Sequence, residues 1–167
     1  MKFAIDIGHN LPVDGGAVGI QSENKLVMDV GANVIYRLRK AGHQVVECKP
    51  GWASSTSDSL RRRCTTANQA RADVFVSIHF NAFNRKAHGT EVFAISTTGR
   101  SIAKRVVDKI AALGFTNRGV KDGSRLYVVK NTSMPAILVE CCFCDSSRDM
   151  TLFNADKMAA AIVSGLV

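Results

Sequence analysis

The chain has 167 residues, 46% of them hydrophobic and 22% charged, with a formal net charge of +8 at pH 7. That length suits one domain able to bury a core without disulfide or metal staples, and no apolar run approaches the roughly 20 residues that cross a bilayer. The positive charge favours an anionic partner (nucleic acid, a membrane surface or an anionic cell-wall polymer), but no basic stripe interleaved with aromatics and no helix-turn-helix or zinc-finger spacing accompanies it, so nucleic acid is not expected.

The start of the chain is too short and too soon interrupted by Asp6 to be the apolar region of a signal peptide, so the chain is not expected to direct its own export. Phe3, Ile5 and Ile7 read as a strand over residues 2–8 that ends at Gly8 and leaves His9 at its carboxyl end. Pro12, Gly15, Gly16 and Gly19 mark a loop, after which Leu26, Val27, Val30, Val34 and Leu38 recur at helical spacing with Glu23 in the first turn. Arg37, Arg39 and Lys40 before Gly42 carry the sign of charge that a helix carboxyl terminus favours. Val45 and Val46 suggest a second strand, and Ser57 is expected to cap a helix running to about Ala72. Residues 74–78 form a third strand that delivers His79, with Ser77, His79 and Asn81 alternating onto one face. Further along, residues 90–95 read as a strand, 100–113 as a helix, 126–129 as a short strand, 136–139 as a strand ending at Glu140, and 147–164 as one final helix.

Strands separated by helices of this length predict a three-layer α/β/α domain around a mostly parallel, mixed central sheet of about six strands. One domain covers residues 1–167, with no linker, repeat or low-complexity tract. In such sheets ligands gather outside the carboxyl ends of the strands. His9, His79 and Glu140 all fall at such ends.

With Glu23, these residues make two histidines and two glutamates, which suits a hydrolytic zinc site: about three nitrogen or oxygen ligands, one position open to water, and a carboxylate to move the proton. Each also has a plainer explanation. His9 fits a turn, Glu23 is favoured in a helix's first turn by the dipole, and His79 fits a hydrogen-bonded core position. Glu140 directly follows Ala-Ile-Leu-Val, so it must pair with a cation such as an arginine or carry a raised pKa. His43 and His88 read as surface residues. The cysteine count is odd, and Cys141, Cys142 and Cys144 crowd an apolar strand, which argues against a disulfide framework and for synthesis in a reducing compartment. A thiol nucleophile is the rival chemistry, although no cysteine-hydrolase motif surrounds these residues and buried packing is expected of them.

Six segments also occur together in order: Ile5-Asp6-Ile7-Gly8-His9, Gly16-Ala17-Val18-Gly19 with Glu23, Ser77-Ile78-His79-Phe80-Asn81-Ala82, Gly89-Thr90-Glu91-Val92, Arg118-Gly119-Val120-Lys121 and Pro135-Ala136-Ile137-Leu138-Val139-Glu140. In this order and approximate spacing the chain resembles, over nearly its whole length, the zinc-dependent N-acetylmuramoyl-L-alanine amidases of bacterial cell separation and phage endolysins. The resemblance implies a zinc ion held by His9, Glu23 and His79, with Glu140 as general base and acid, and peptidoglycan as substrate. The bond cut would be the amide between N-acetylmuramic acid and the L-alanine of the stem peptide. It further implies action at the cell wall by a monomer, either released as a lysin or exported by a signal trimmed from this chain, with anionic wall polymers as additional partners. Asn81, Arg118 and Lys121 become candidates for holding substrate carboxylate or sugar groups, on resemblance and charge alone. The alternatives are a zinc carboxypeptidase or endopeptidase on the same stem peptides, or a non-catalytic peptidoglycan-binding domain. Two departures stand out: Ile7 and Asn10 where the family has a Pro-Gly-His-Gly loop, and Cys141-Cys142-Phe143-Cys144 where it places glycine and phenylalanine.

Overall fold

Strands buried on both faces need cover on both, and the central strands of this protein are of that kind. The computed structural model describes residues 1–167. Its six strands are β1 (Lys2–Ile7), β2 (Gln44–Glu47), β3 (Val74–Asn81), β4 (Thr90–Ala94), β5 (Asn117–Asp122) and β6 (Ala136–Phe143). They form one sheet in the order β2-β1-β3-β6-β4-β5. In β1, β3 and β6 nearly every residue is buried, whichever face it points to.

Six helices supply the cover: α1 (Glu23–Lys40), α2 (Thr56–Gln69), α3 (Thr97–Ala111), α4 (Tyr127–Lys130), α5 (Ser147–Leu152) and α6 (Ala155–Leu166). Leu26, Val27, Val30, Val34 and Leu38 of α1 pack with Ile102, Val106 and Ile110 of α3 and Met158 and Ile162 of α6 over one face. Burying each such side chain contributes roughly 1.5–3 kcal/mol. A smaller cluster closes the opposite face, where Cys64 and Ala67 of α2 meet Val128 and Val129 of α4. The outcome is the three-layer α/β/α domain with a mixed six-stranded sheet that the periodicity predicts.

Strand direction places the site. β1, β2, β3 and β6 run parallel, whereas β4 is antiparallel to β6 and carries β5 parallel to itself. The carboxyl ends of β1, β3 and β6 therefore meet the amino ends of β4 and β5 along one edge. The register sets His79 beside Glu140, and Glu140 beside Glu91.

Four local expectations are corrected. Residues 126–129 do not form a strand, because Tyr127–Lys130 closes into a helical turn whose Val128 and Val129 are buried. The strand Asn117–Asp122 was not expected, since its burial is slight and it carries no apolar run. Ser55, not Ser57, caps α2, with its side chain accepting from the Asp58 amide. The final helix is two: the chain is extended at Phe153 and Asn154, and the Asn154 side chain caps α6 by accepting from the Lys157 amide.

Candidate metal centre

His9, Glu23 and His79 offer ligand atoms that all lie within 4.8 Å of one another. His9 Nε2 and His79 Nδ1 each stand 3.3 Å from the same oxygen, Glu23 Oε1. The two rings meet edge to face, with centroids 4.7 Å apart. Gly8 makes this approach possible, because a Cβ there would fall 2.5 Å from Cε1 of the His79 ring.

Local structure fixes each donor. Glu23 opens α1, and its Oε1 accepts from the Phe80 amide at 3.0 Å while Oε2 accepts from the Ala17 amide at 2.8 Å. Burial would raise its pKa, but the histidines and the two amides together hold the carboxyl well below the usual range. His9 is presented by a sharp turn, with φ of 53° at His9 and 63° at Asn10. Its Nδ1 lies 2.8 Å from Asp14 Oδ1. Burial alone would lower the His9 pKa, but Glu23 and Asp14 outweigh it and hold it up at about 9.

Glu140 differs from all three. Its Oε2 is buried and meets no hydrogen-bond donor. Burial is the largest cause of its raised pKa, about 7; the charges of Glu23 and Glu91 add to the shift, and His79 and His9 oppose it. The pairing with an arginine that the sequence left open does not occur, since no cation bonds to it. A carboxyl near neutrality beside a nitrogen and oxygen donor set is suited to moving protons.

Beyond Glu140 the row continues with Glu91, which binds two of the three residues considered for substrate contact. Asn81 Nδ2 donates to Glu91 Oε1 at 3.0 Å and Arg118 Nε donates to Oε2 at 2.9 Å. The Arg118 guanidinium lies 5.0 Å from the Phe143 ring centroid, a cation–π distance. Lys121 is not brought into this group. β5 runs away from the site edge after Arg118, and Lys121 pairs with Phe93, which in turn pairs with Leu138, two residues before Glu140. Sequence reasoning gave no role to Glu91, Asp6, Asp14, Arg63 or Ser59. Asp6 in the middle of an apolar strand was the legible signal among them.

The rival thiol chemistry loses its basis. All five cysteines are free and buried, and burial pushes Cys48 to about 12 and Cys64 and Cys144 to about 11, with Cys141 and Cys142 also raised. His88 is half-buried, its Nε2 3.1 Å from Arg148 Nη1.

A mixed α/β/α sheet with a His-Glu-His cluster and a separate carboxylate with one buried, unpartnered oxygen at one strand edge defines a class, that of hydrolytic domains with a candidate single-metal centre. Comparison with known proteins gives the family. The family described as N-acetylmuramoyl-L-alanine amidase matches residues 3–167, and the chain belongs to it. An uncharacterized protein of Clostridium perfringens is 38% identical over 92% of this chain and 47% of its own length. The N-acetylmuramoyl-L-alanine amidase LytC of Bacillus subtilis is 33% identical over 98% of this chain and 34% of its own. The chain thus spans about a third to a half of the length of these two relatives. Among solved structures, the catalytic domain of the CD27L endolysin targeting Clostridia difficile superposes with a TM-score of 0.91 at 28% identity, covering 99% of this chain and 96% of that one.

Proposed function

We propose that this domain is a zinc-dependent N-acetylmuramoyl-L-alanine amidase that hydrolyses the amide between N-acetylmuramic acid and the L-alanine of the peptidoglycan stem peptide. The observation that carries this reading is the convergence of His9 Nε2, His79 Nδ1 and Glu23 Oε1, with the unpartnered oxygen of Glu140 on the adjacent strand. The donors fit zinc: two imidazole nitrogens and one carboxylate oxygen, with the far side of the carboxylate and of one imidazole already held by protein.

When bound, zinc supplies a Lewis acid that polarises the scissile carbonyl and makes water acidic. The chain supplies the rest. Glu23 brings a carboxylate kept ionised by the two histidines and by its amide donors, and His9 and His79 orient the donor set from the ends of β1 and β3. Glu140 takes a proton from the attacking water and delivers one to the leaving alanine nitrogen, which its near-neutral pKa permits in both directions. Arg118 is half-fixed by Glu91, and its two terminal nitrogens have no partner in the chain, so they serve a substrate carboxylate in the bidentate manner of arginine. Asn81, held by the same glutamate, offers an amide to sugar or peptide groups. Lys121, remote from this row, contributes to the general positive charge that holds the domain near anionic wall polymers.

The domain acts at the cell wall as a monomer with one zinc ion. No helix is long and apolar enough to cross a membrane. Product analysis on purified peptidoglycan tests the reading: new L-alanine amino termini together with free lactyl carboxyls on muramic acid are expected. New termini at other stem residues would instead indicate an endopeptidase or carboxypeptidase, and an intact wall that co-sediments with the protein would indicate binding alone.

A further inference from the structure

Arg63 is the bulkiest fully buried side chain in the protein, with 1% of its surface exposed. Its two terminal nitrogens are directed to the residues that lead up to and include His9. Nη1 donates to Asp6 Oδ1 at 2.6 Å and to the Ile7 carbonyl, Nη2 donates to the His9 carbonyl at 2.7 Å, and Nε donates to Ser59 Oγ at 3.1 Å. Ser59 passes the chain of bonds on by donating to Asp14 Oδ2 at 3.1 Å, and Asp14 Oδ1 faces the His9 ring. Asp6 is completed by Ser77 Oγ at 2.7 Å.

A buried ion pair is seldom the most stable filling for a core, where apolar residues of the same volume do as well or better. This one is concentrated on a single turn. His9 and Asn10 are consecutive non-glycine residues in the left-handed region, a conformation that persists only where the surroundings hold it. Asparagine is among the few residues other than glycine that tolerate this region. The Asn10 side chain also ties the turn to α1, donating to the Gly8 and Asn24 carbonyls at 3.0 and 3.2 Å.

We propose that Arg63 and Asp14 are positioning residues for the metal ligand His9. Arg63 clamps the backbone through the Ile7 and His9 carbonyls, and Asp14 holds the imidazole by Nδ1, so that Nε2 is the nitrogen aimed at Glu23 and His79. With the proton kept on Nδ1, the lone pair on Nε2 is free for a metal. The inference rests on the zinc reading above.

The test measures zinc affinity of the purified protein by competition with a chromogenic chelator, with the metal-free fold checked by circular dichroism. Asp14→Ala should keep the fold and bind zinc about 10–100-fold more weakly, the usual cost of removing a carboxylate behind a ligating histidine. Asp14→Asn preserves volume and serves if the alanine variant does not fold; it too should weaken binding. In nitrogen-15 spectra of the zinc-loaded proteins, the His9 Nδ1 proton should be protected in the wild type and exchange faster in either variant, a change that a merely structural role would not produce. Arg63→Lys keeps a cation beside Asp6 but cannot span both carbonyls, and should weaken zinc binding while the Nδ1 proton stays protected. A folded Asp14 variant that binds zinc as tightly as the wild type, with an unchanged Nδ1 signal, overturns the proposal. A wild type that binds no zinc overturns the zinc reading itself.

Discussion

Glu23, at the amino end of α1, is surrounded by donors from the preceding loop and from β3, whereas Glu140, near the carboxyl end of β6, has a buried oxygen with none. The two side chains are identical and reach the same strand edge, yet one is held ionised below the normal range and the other is raised to about 7. Surroundings, not residue type, divide the labour: a carboxylate fixed by amides and facing two histidines is built to be a ligand, and one stripped of partners is built to trade protons.

The largest expected effect comes from removing the proton carrier while keeping its shape. Glu140→Gln should lower turnover on soluble muropeptides by about 10²–10⁴-fold, the span of general acid–base catalysis, with little change in KM. Turnover within tenfold of wild type would break the contrast between the two glutamates.

The same variant sharpens the comparison through stability. The Glu140 carboxyl rises from 4.5 to about 7 on folding, so its proton stabilises the metal-free fold fully below about pH 4.5, and that contribution is lost as pH rises through about 7. Glutamine mimics the protonated form at every pH. Urea denaturation of the metal-free proteins should therefore show the two equal near pH 4 and Glu140→Gln more stable at pH 8, by up to ~3 kcal/mol.

Arg118→Ala should raise KM for substrates bearing a free carboxylate by roughly tenfold and leave kcat nearly unchanged, since one charged hydrogen-bond pair to a ligand is worth about 1.5 kcal/mol or more. Lys121→Ala, away from the row, should leave KM for the same substrates within twofold. The smallest effect belongs to the cysteines: a thiol-blocking reagent under native conditions should label none of the five at an appreciable rate and leave activity intact, because each is buried with a raised pKa.

Much of this arrangement was legible in the chain itself. Helical spacing in Leu26 to Leu38 and the apolar runs before His79 and Glu140 located the main elements, because core-facing periodicity is imposed by burial. Edge features were not: β5 is a thinly buried strand whose Asn117–Asp122 sequence has no alternation to reveal it, and the Tyr127–Lys130 turn shows the same β-branched residues as a strand would. His9, Glu23, His79 and Glu140 could be singled out because each sits where a periodic segment stops or starts. Arg63 and Asp14 could not, since one lies in a run of three arginines and the other in a loop, and only the folded chain brings them behind His9. The Glu91 grip on Asn81 and Arg118 depends likewise on the antiparallel β4–β6 register, which sequence patterning does not specify.

The most direct test compares zinc content and turnover in Glu23→Gln and Glu140→Gln prepared side by side and dialysed against the same zinc-buffered solution. The account predicts one zinc ion per chain in Glu140→Gln with turnover lost, and a large loss of both zinc and turnover in Glu23→Gln. Equal zinc in the two variants, or metal lost from Glu140→Gln alone, would contradict the assignment of ligand to the amino end of α1 and proton carrier to the end of β6.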